Sequence, residues 1–257
     1  MGLIHEDIAF LNFDNCYLDQ EQLWRERPHH WIDLQEIRHT NLFCESSSFK
    51  QIEQKLQHHS PTGITLIGSG NYHYVSYALL SRIQEPFTLV LIDHHSDLTE
   101  SSAPAMLSCG SWVYHAILHL PHLVQTIIIG PDASNLPALP AGKKNTLQIM
   151  PNEHPKHNDI KQILTQIKTK NVYISIDKDV LDPSIVMTNW DQGHMILSDL
   201  VPLITAIIRQ KHVQGVDICG EWKGGPSDIF NPENRQAAKK NEAANHYIIN
   251  AVLNATA

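Results

Sequence analysis

Apolar runs of four to seven residues recur along the chain, separated by stretches in which apolar positions repeat at helical spacing. The runs are Ile64 to Ile67, Leu89 to Ile92, Val124 to Gly130, Val172 to Ile176 and Val213 to Cys219, with a shorter one at Thr146 to Met150. Near-continuous runs bounded by turn residues are what strands buried on both faces of a parallel sheet look like. Between them, Ile160, Ile163, Leu164 and Ile167 fall at i, i+3, i+4 and i+7, one apolar face of a helix. Leu200, Leu203, Ile204, Ile207 and Ile208 mark a second helix, which Ser198 or Asp199 can cap and in which Pro202 falls early. Further helices are predicted from His73 through Leu79, Leu80 and Ile83, and from about Ser111 to Leu118. Asn231-Pro232-Glu233, a cap followed by proline, opens a long helix over the last ~25 residues. Leu98 to Cys109 and Leu136 to Gly142 read as loops. Before Gly63, Trp24, Trp31, Leu34, Ile37 and Leu42 follow no sustained period and read as strand and helix pieces at the sheet edge.

Strand and helix alternate with no linker-like shift in composition, no internal repeat and no low-complexity tract. The expected architecture is a single α/β domain over residues 1–257, with a mostly parallel central sheet and helices on both faces. The polar clusters then fall into register. Asn71 to His73, Asp93 to Asp97, Asp177 to Asp182 and Gly220-Glu221 all follow the ends of strands, and in a parallel sheet those ends share one edge, where sites form.

Composition narrows the partners. Charged residues are 18% and the formal net charge is −8, with no stretch dense in Lys or Arg, so nucleic acid is not the expected partner. No run approaches the ~18 apolar residues of a membrane span, and the start lacks a signal-peptide layout. A cytoplasmic protein with no membrane partner is expected. The four cysteines, Cys16, Cys44, Cys109 and Cys219, show no C-x-x-C spacing, so reduced thiols are the default. Most of the 17 histidines lie in polar stretches that read as surface or loop.

The chemistry concentrates in Asp93-His94-His95-Ser96-Asp97. In extended backbone Asp93, His95 and Asp97 project to one side, and such a set at the end of a buried strand needs a cation to neutralise it. Asp177 and Asp179 repeat the i, i+2 pattern at the end of another strand. With His73 the set becomes four carboxylates and two imidazoles, too many for one first-row cation and suited to two that share carboxylates. Such oxygen-rich donors favour Mn²⁺ over Zn²⁺, and two metals ~3.5 Å apart can hold a bridging hydroxide, a nucleophile for hydrolysis.

At these residues the chain resembles the arginase and agmatinase family, the ureohydrolases. Asp93 to Asp97 is similar to the family's D-A-H-x-D motif, Ser175 to Pro183 to its S-x-D-x-D-x-x-D-P motif, and Gly70 to His73, more weakly, to its G-G-D-H motif. The resemblance implies a three-layer α/β/α fold, two Mn²⁺ and hydrolysis of a guanidino or related linear amidine C–N bond in a small, cationic substrate. It implies one metal on His73, Asp93, Asp97 and Asp177 and the other on Asp93, His95, Asp177 and Asp179, with Asp97 also orienting the hydroxide and passing its proton on. It implies a homo-oligomer as well.

Three positions depart from the family. Tyr72 stands where an Asp usually precedes the first His ligand. Cys109, in Ser108-Cys109-Gly110-Ser111-Trp112, stands where the family has a proton-shuttling His, and His115, about a turn on from Ser111, could substitute. Gly220 stands where the family has its substrate-recognising Glu, and Glu221, one residue later, is expected to reach a cationic substrate through a local shift. The Trp190-Asp191-Gln192-Gly193 loop is expected as a wall of the pocket. The alternative is a metal-stabilised binding or regulatory protein of the same fold that has lost hydrolase activity.

Overall fold

Every strand pairing of the central nine-stranded sheet is parallel, so all of its strands release the chain at one edge. The computed structural model describes residues 1–100, 106–131, 139, 146–224 and 231–256. In chain order the strands are β1 (Gly2–Leu3), β2 (Ile8–Asn12), β3 (His30–Asp33), β4 (Phe43–Glu45), β5 (Ile64–Gly68), β6 (Phe87–Ile92), β7 (Met106–Ser108), β8 (Leu123–Ile129), β9 (Leu147–Met150), β10 (Asn171–Asp177) and β11 (His212–Cys219). The helices are α1 (Glu21–Arg25), α2 (Ser46–Gln57), α3 (Val75–Leu80), α4 (Trp112–His119), α5 (His157–Gln166), α6 (Leu197–Gln210) and α7 (Pro232–Thr256). The sheet runs β3-β2-β5-β11-β10-β6-β8-β9, with β1 alongside β11, while β4 and β7 form a separate antiparallel pair.

Two apolar cores explain the layering. Alternation along β6 sends Phe87, Leu89 and Leu91 to one face and Val90 and Ile92 to the other, and β10 divides in the same way. One face is covered by residues of α2, α3 and α4, among them Ile52, Val75 and Trp112. The other is covered by α5, α6 and α7 through Ile163, Leu203, Ile204, Ile248 and Val252. Each such aliphatic side chain taken from water contributes roughly 1.5–3 kcal/mol, which is why helices with one apolar stripe dock here. This is the three-layer α/β/α fold with a parallel sheet.

Several local expectations need correction. His73 does not open a helix: it follows a 3₁₀ turn at Gly70–Tyr72, and α3 begins at Val75 and ends at Leu80. Ile83 lies beyond it, close to Pro86, which disfavours helix in the residue before it. Neither Ser198 nor Asp199 caps α6. The N-cap is Ile196, and the Asp199 carboxylate is drawn instead to His154 Nδ1 at 2.7 Å and Lys156 Nζ at 3.5 Å. The cap of α7 is as expected, with the Glu233 N–H donating to Asn231 Oδ1 at 3.0 Å. Of the loop expected over 98–109, residues 101–105 lie outside the described residues and Met106–Ser108 form β7 instead, drawn into strand by pairing with β4; of that over 136–142, only Leu139 is described. No helix among the described residues is long and apolar enough to cross a membrane.

Candidate metal centre

The four central strands, β5, β11, β10 and β6, deliver the site. His73 follows β5, Asp93 and Asp97 follow β6, Asp177 ends β10, and Asp179 sits in the 3₁₀ turn Lys178–Val180 behind it. His73 Nδ1 faces three carboxylate oxygens, Asp97 Oδ2 at 3.0 Å and Asp93 Oδ2 and Asp177 Oδ2 at 3.4 Å each. His95 Nδ1 lies 2.8 Å from Asp179 Oδ2 and 3.7 Å from Asp93 Oδ1. Three donor groups result, His73–Asp93–Asp97, Asp93–His95–Asp179 and His73–Asp177–Cys219, each with its ligand atoms within 4.8 Å of one another; Asp93 joins the first two and His73 the first and third. All six residues expected as ligands thus lie together.

Electrostatics say what this cluster needs. Burial, and then the charges of Asp179, Asp97 and Asp177, push the Asp93 carboxyl well above the usual range. Burial and the Asp179 charge raise Asp177 to about 6. Burial disfavours imidazolium at His73 and His95, but hydrogen bonding and charge from Asp97 and Asp179 respectively outweigh it and raise both to about 9. Carboxylates this close cannot all ionise without positive charge among them. Asp93 Oδ2, buried, accepts no hydrogen bond. A buried acceptor left open among hard oxygen donors and two imidazoles fits divalent cations.

Supporting groups hold the donors in place. His73 Nε2 donates to Ser175 Oγ at 2.9 Å, and Ser175 Oγ donates to Asp217 Oδ1 at 2.6 Å. This chain holds a proton on Nε2, which leaves Nδ1, the nitrogen that faces the carboxylates, as the one a metal would use in place of a proton. The Trp112 indole donates to Asp97 Oδ2 at 2.6 Å, and its ring lies 4.9 Å from that of His73. Asp97 has φ +50°, a left-handed conformation costly for a non-glycine residue, and its carbonyl accepts from the N–H groups of Val113 and Tyr114 at the start of α4. Cys219 Sγ donates to Asp177 Oδ2 at 3.0 Å.

Sequence reasoning gave no role to Ser175, Asp217 or Cys219, yet the signal was present. Ser175 pairs across the sheet with Asp217, and Asp177 with Cys219. Polar residues at i and i+2 in both strands therefore project to the same side as the ligands.

A cavity of about 340 Å³ opens over the cluster, lined by the six donors and by residues that include Gly70, Thr99, Cys109, Trp190 and Asp191. Cys109 thus lies in its wall, with burial and the charge of Asp97 pushing the thiol up to about 12. It stands there as a neutral thiol. The Trp190 loop also lines the cavity. His94 also borders the cavity, its Nδ1 3.3 Å from Glu153 Oε1.

Two expected residues are not brought to the site. His115 lies along α4 and lines a separate hollow with Glu53, Tyr77 and Leu107. The site lies at the start of α4, and four residues past Ser111 the helix has risen about 6 Å away from it. Glu221 is fully buried on the far side of Lys178, where it forms an ion pair with Lys178 Nζ. Its remaining acceptor capacity is taken by Gln20 Nε2 at 2.7 Å, Asn245 Nδ2 at 2.7 Å and Asn241 Nδ2 at 3.1 Å. The cause is Gly220. It has φ +87°, and a Cβ there would stand 2.4 Å from Asp177 Oδ1 and 2.8 Å from the Lys178 nitrogen. The backbone passes too close to the ligands for any side chain at 220, and Glu221 turns the other way.

A parallel sheet clothed by helices on both faces, with carboxylate–imidazole donor groups at its carboxyl edge, is the layout of an arginase-like α/β/α fold. The chain belongs to the arginase family, whose model matches residues 10–220. It is 30% identical over 235 residues to an uncharacterised protein of Thermotoga maritima, covering 89% of this chain and 88% of that one. It is 29% identical over 178 residues to the N(1)-aminopropylagmatine ureohydrolase of Thermus thermophilus, which spans 66% of this chain and 59% of the relative. Among solved structures, proclavaminate amidino hydrolase from Streptomyces clavuligerus superposes with a TM-score of 0.67 at 13% identity, covering 96% of this chain and 91% of that one. Trypanosoma cruzi formiminoglutamase, solved with Mn²⁺, gives 0.64 at 11% identity, covering 97% and 93%.

Proposed function

We propose that this chain is a metal-dependent hydrolase of guanidino or related linear amidine C–N bonds, acting on a small cationic molecule. The observation that carries the reading is the pair of donor groups sharing Asp93 beneath an open cavity. His73, Asp93, Asp97 and Asp177 would hold one ion and Asp93, His95, Asp177 and Asp179 the other, with Mn²⁺ favoured by the oxygen-rich set. When bound, two such ions acidify water to give a nucleophile at neutral pH and polarise the carbon under attack.

The chain's own groups supply the rest. Asp97 lines the cavity and is held by the Trp112 indole, so one of its oxygens is fixed and its carboxylate can take a proton and pass it to the departing nitrogen. Ser175 and Asp217 fix the His73 ring. Cys109, uncharged, offers a weak hydrogen bond rather than the charged acid an imidazolium would provide. No Lys or Arg is among the described residues lining the cavity, which favours a cation over an anion there.

A second reading is a binding or regulatory protein that retains the metals without turnover. The removal of Glu221 into its ion pair and the neutral thiol at Cys109 favour it. Assay of the Mn²⁺-loaded protein against guanidino, formimino and amide compounds separates the two. Hydrolysis of at least one, abolished in Asp177→Ala, is expected. An inert wild type that still binds a small cation tightly would support the binding protein instead.

A further inference from the structure

The position from which a Glu would grip the substrate is empty of side chain, since Gly220 cannot carry one and Glu221 is committed elsewhere. What stands over the donors instead is an indole. Trp190 is 37% exposed and, among the exposed large hydrophobic residues described, is the one that lines this cavity. Its ring centroid lies 5.7 Å from that of His95. Its Cδ1 and Nε1 press on Gly70: a Cβ at 70 would lie 3.1 and 3.3 Å from them, and 3.1 Å from Asp177 Oδ2. The edge of the indole and the Asp177 oxygen therefore both border Gly70, at distances where a larger residue would force one of them to give by a few tenths of an ångström.

The indole is also held rigidly. Its Nε1 donates to Asn71 Oδ1 at 2.9 Å, and Asn71 in turn donates to Asn41 Oδ1 at 3.0 Å. The loop is fastened on each side of it. Asn241 accepts from the Met187 N–H at 2.9 Å and donates to the Met187 carbonyl at 2.8 Å. Asn189 does the same with the Lys223 backbone, at 2.7 and 3.2 Å, and the Gly193 N–H donates to the Asp179 carbonyl at 2.7 Å. A half-exposed tryptophan on a loop with so many backbone ties is held in one position in the cavity wall.

We propose that Trp190 is the specificity-determining residue of this cavity: a planar amidinium or guanidinium group stacks on the indole beside the metal centre, with the Asp191 carboxylate at the mouth as its counter-charge. Indole faces attract cations, and a delocalised planar cation adds stacking that a tetrahedral ammonium lacks. The inference rests on reading this cavity as the substrate site. It replaces recognition by a buried carboxylate with recognition by an aromatic wall, and it selects a flat cationic head over a bulky or anionic one.

Calorimetric titration of methylguanidine and of methylamine into the Mn²⁺-loaded protein tests it, with wild type, Trp190→Phe and Trp190→Leu compared at equal metal content and equal circular dichroism. Wild type should bind methylguanidine more tightly than methylamine. Trp190→Leu should weaken methylguanidine binding about tenfold and erase the preference, and Trp190→Phe should keep most of both. Wild-type affinity in Trp190→Leu, or no preference for the planar cation in wild type, would overturn the proposal. Turnover is measured separately, so binding that depends on Trp190 without hydrolysis of any substrate would remove the hydrolase reading and leave the stacking wall in place.

Discussion

Asp93 and Asp177 sit where the charge of the site is most concentrated, and their ionisation sets how the metal-free protein responds to pH. Both are buried and both have raised pKa values, Asp177 to about 6. A carboxyl whose folded value exceeds its unfolded value holds its proton in the folded state, so its contribution is lost as pH rises through the folded value. His73 and His95, raised to about 9, act in the same direction, because their stabilisation is full below an unfolded value near 6.5 and is lost as pH rises through 9. Chelated protein should therefore lose at least about 5 °C of Tm between pH 5 and pH 9. Protein loaded with Mn²⁺ should not, because metal binding requires the deprotonated ligands. Calorimetry on both forms decides it, and a Tm of the chelated form that is flat or rises over this range would show that the cluster is not charged as described. At this scale five of the six donors were legible because i, i+2 spacing at strand ends is a local pattern, and His73 was legible through the weaker motif at Gly70 to His73. Glu221 misled because nothing local reveals that Gly220 runs against Asp177, and the side chain one residue later points where the backbone turn sends it.

At the scale of elements, the turn between Asp177 and Asp179 is braced from behind by α7. Lys178 lies between the two ligands, fully buried, and its amine meets Glu221 and Asn245 Oδ1, the latter at 3.0 Å. Asn245 also donates to Gln20 Oε1 at 2.9 Å, so β10, β11, α7 and the residues before α1 share one polar knot. A buried ion pair of this kind adds little net stability, but removing one partner leaves the other charge stranded. Lys178→Met should cost about 3–5 kcal/mol in urea unfolding, and the double variant Lys178→Met/Glu221→Gln should recover most of it. Equal losses in single and double variants would contradict the pairing. The strands and most helices could be read from apolar runs and helical spacing. The pieces before Gly63 could not, because β3 is a four-residue strand at the sheet edge and β4, three residues long, pairs only with distant β7. Their partners lie far along the chain, so no window of sequence contains the pattern.

The whole molecule is a parallel sheet whose central strands converge on one buried cluster of charge, and the fold and the cluster depend on each other. Helices on both faces exclude water from the strand ends, which makes the carboxylates costly and creates the demand for cations. Membership of the arginase family agrees with that arrangement over most of the chain. The donor cluster carries the motifs that resemble the family's, whereas Tyr72, Cys109 and Gly220 depart from them nearby. The donor set is thus legible from sequence, whereas contacts such as Trp190 on Gly70 appear only on folding. The most direct measurement is anomalous diffraction at the manganese edge from crystals grown with Mn²⁺, in wild type and in Asp93→Asn. Two manganese peaks are expected among His73, Asp93, His95, Asp97, Asp177 and Asp179, with loss of at least one in the variant. A single peak, or none, in wild-type crystals that bind Mn²⁺ elsewhere would contradict this reading.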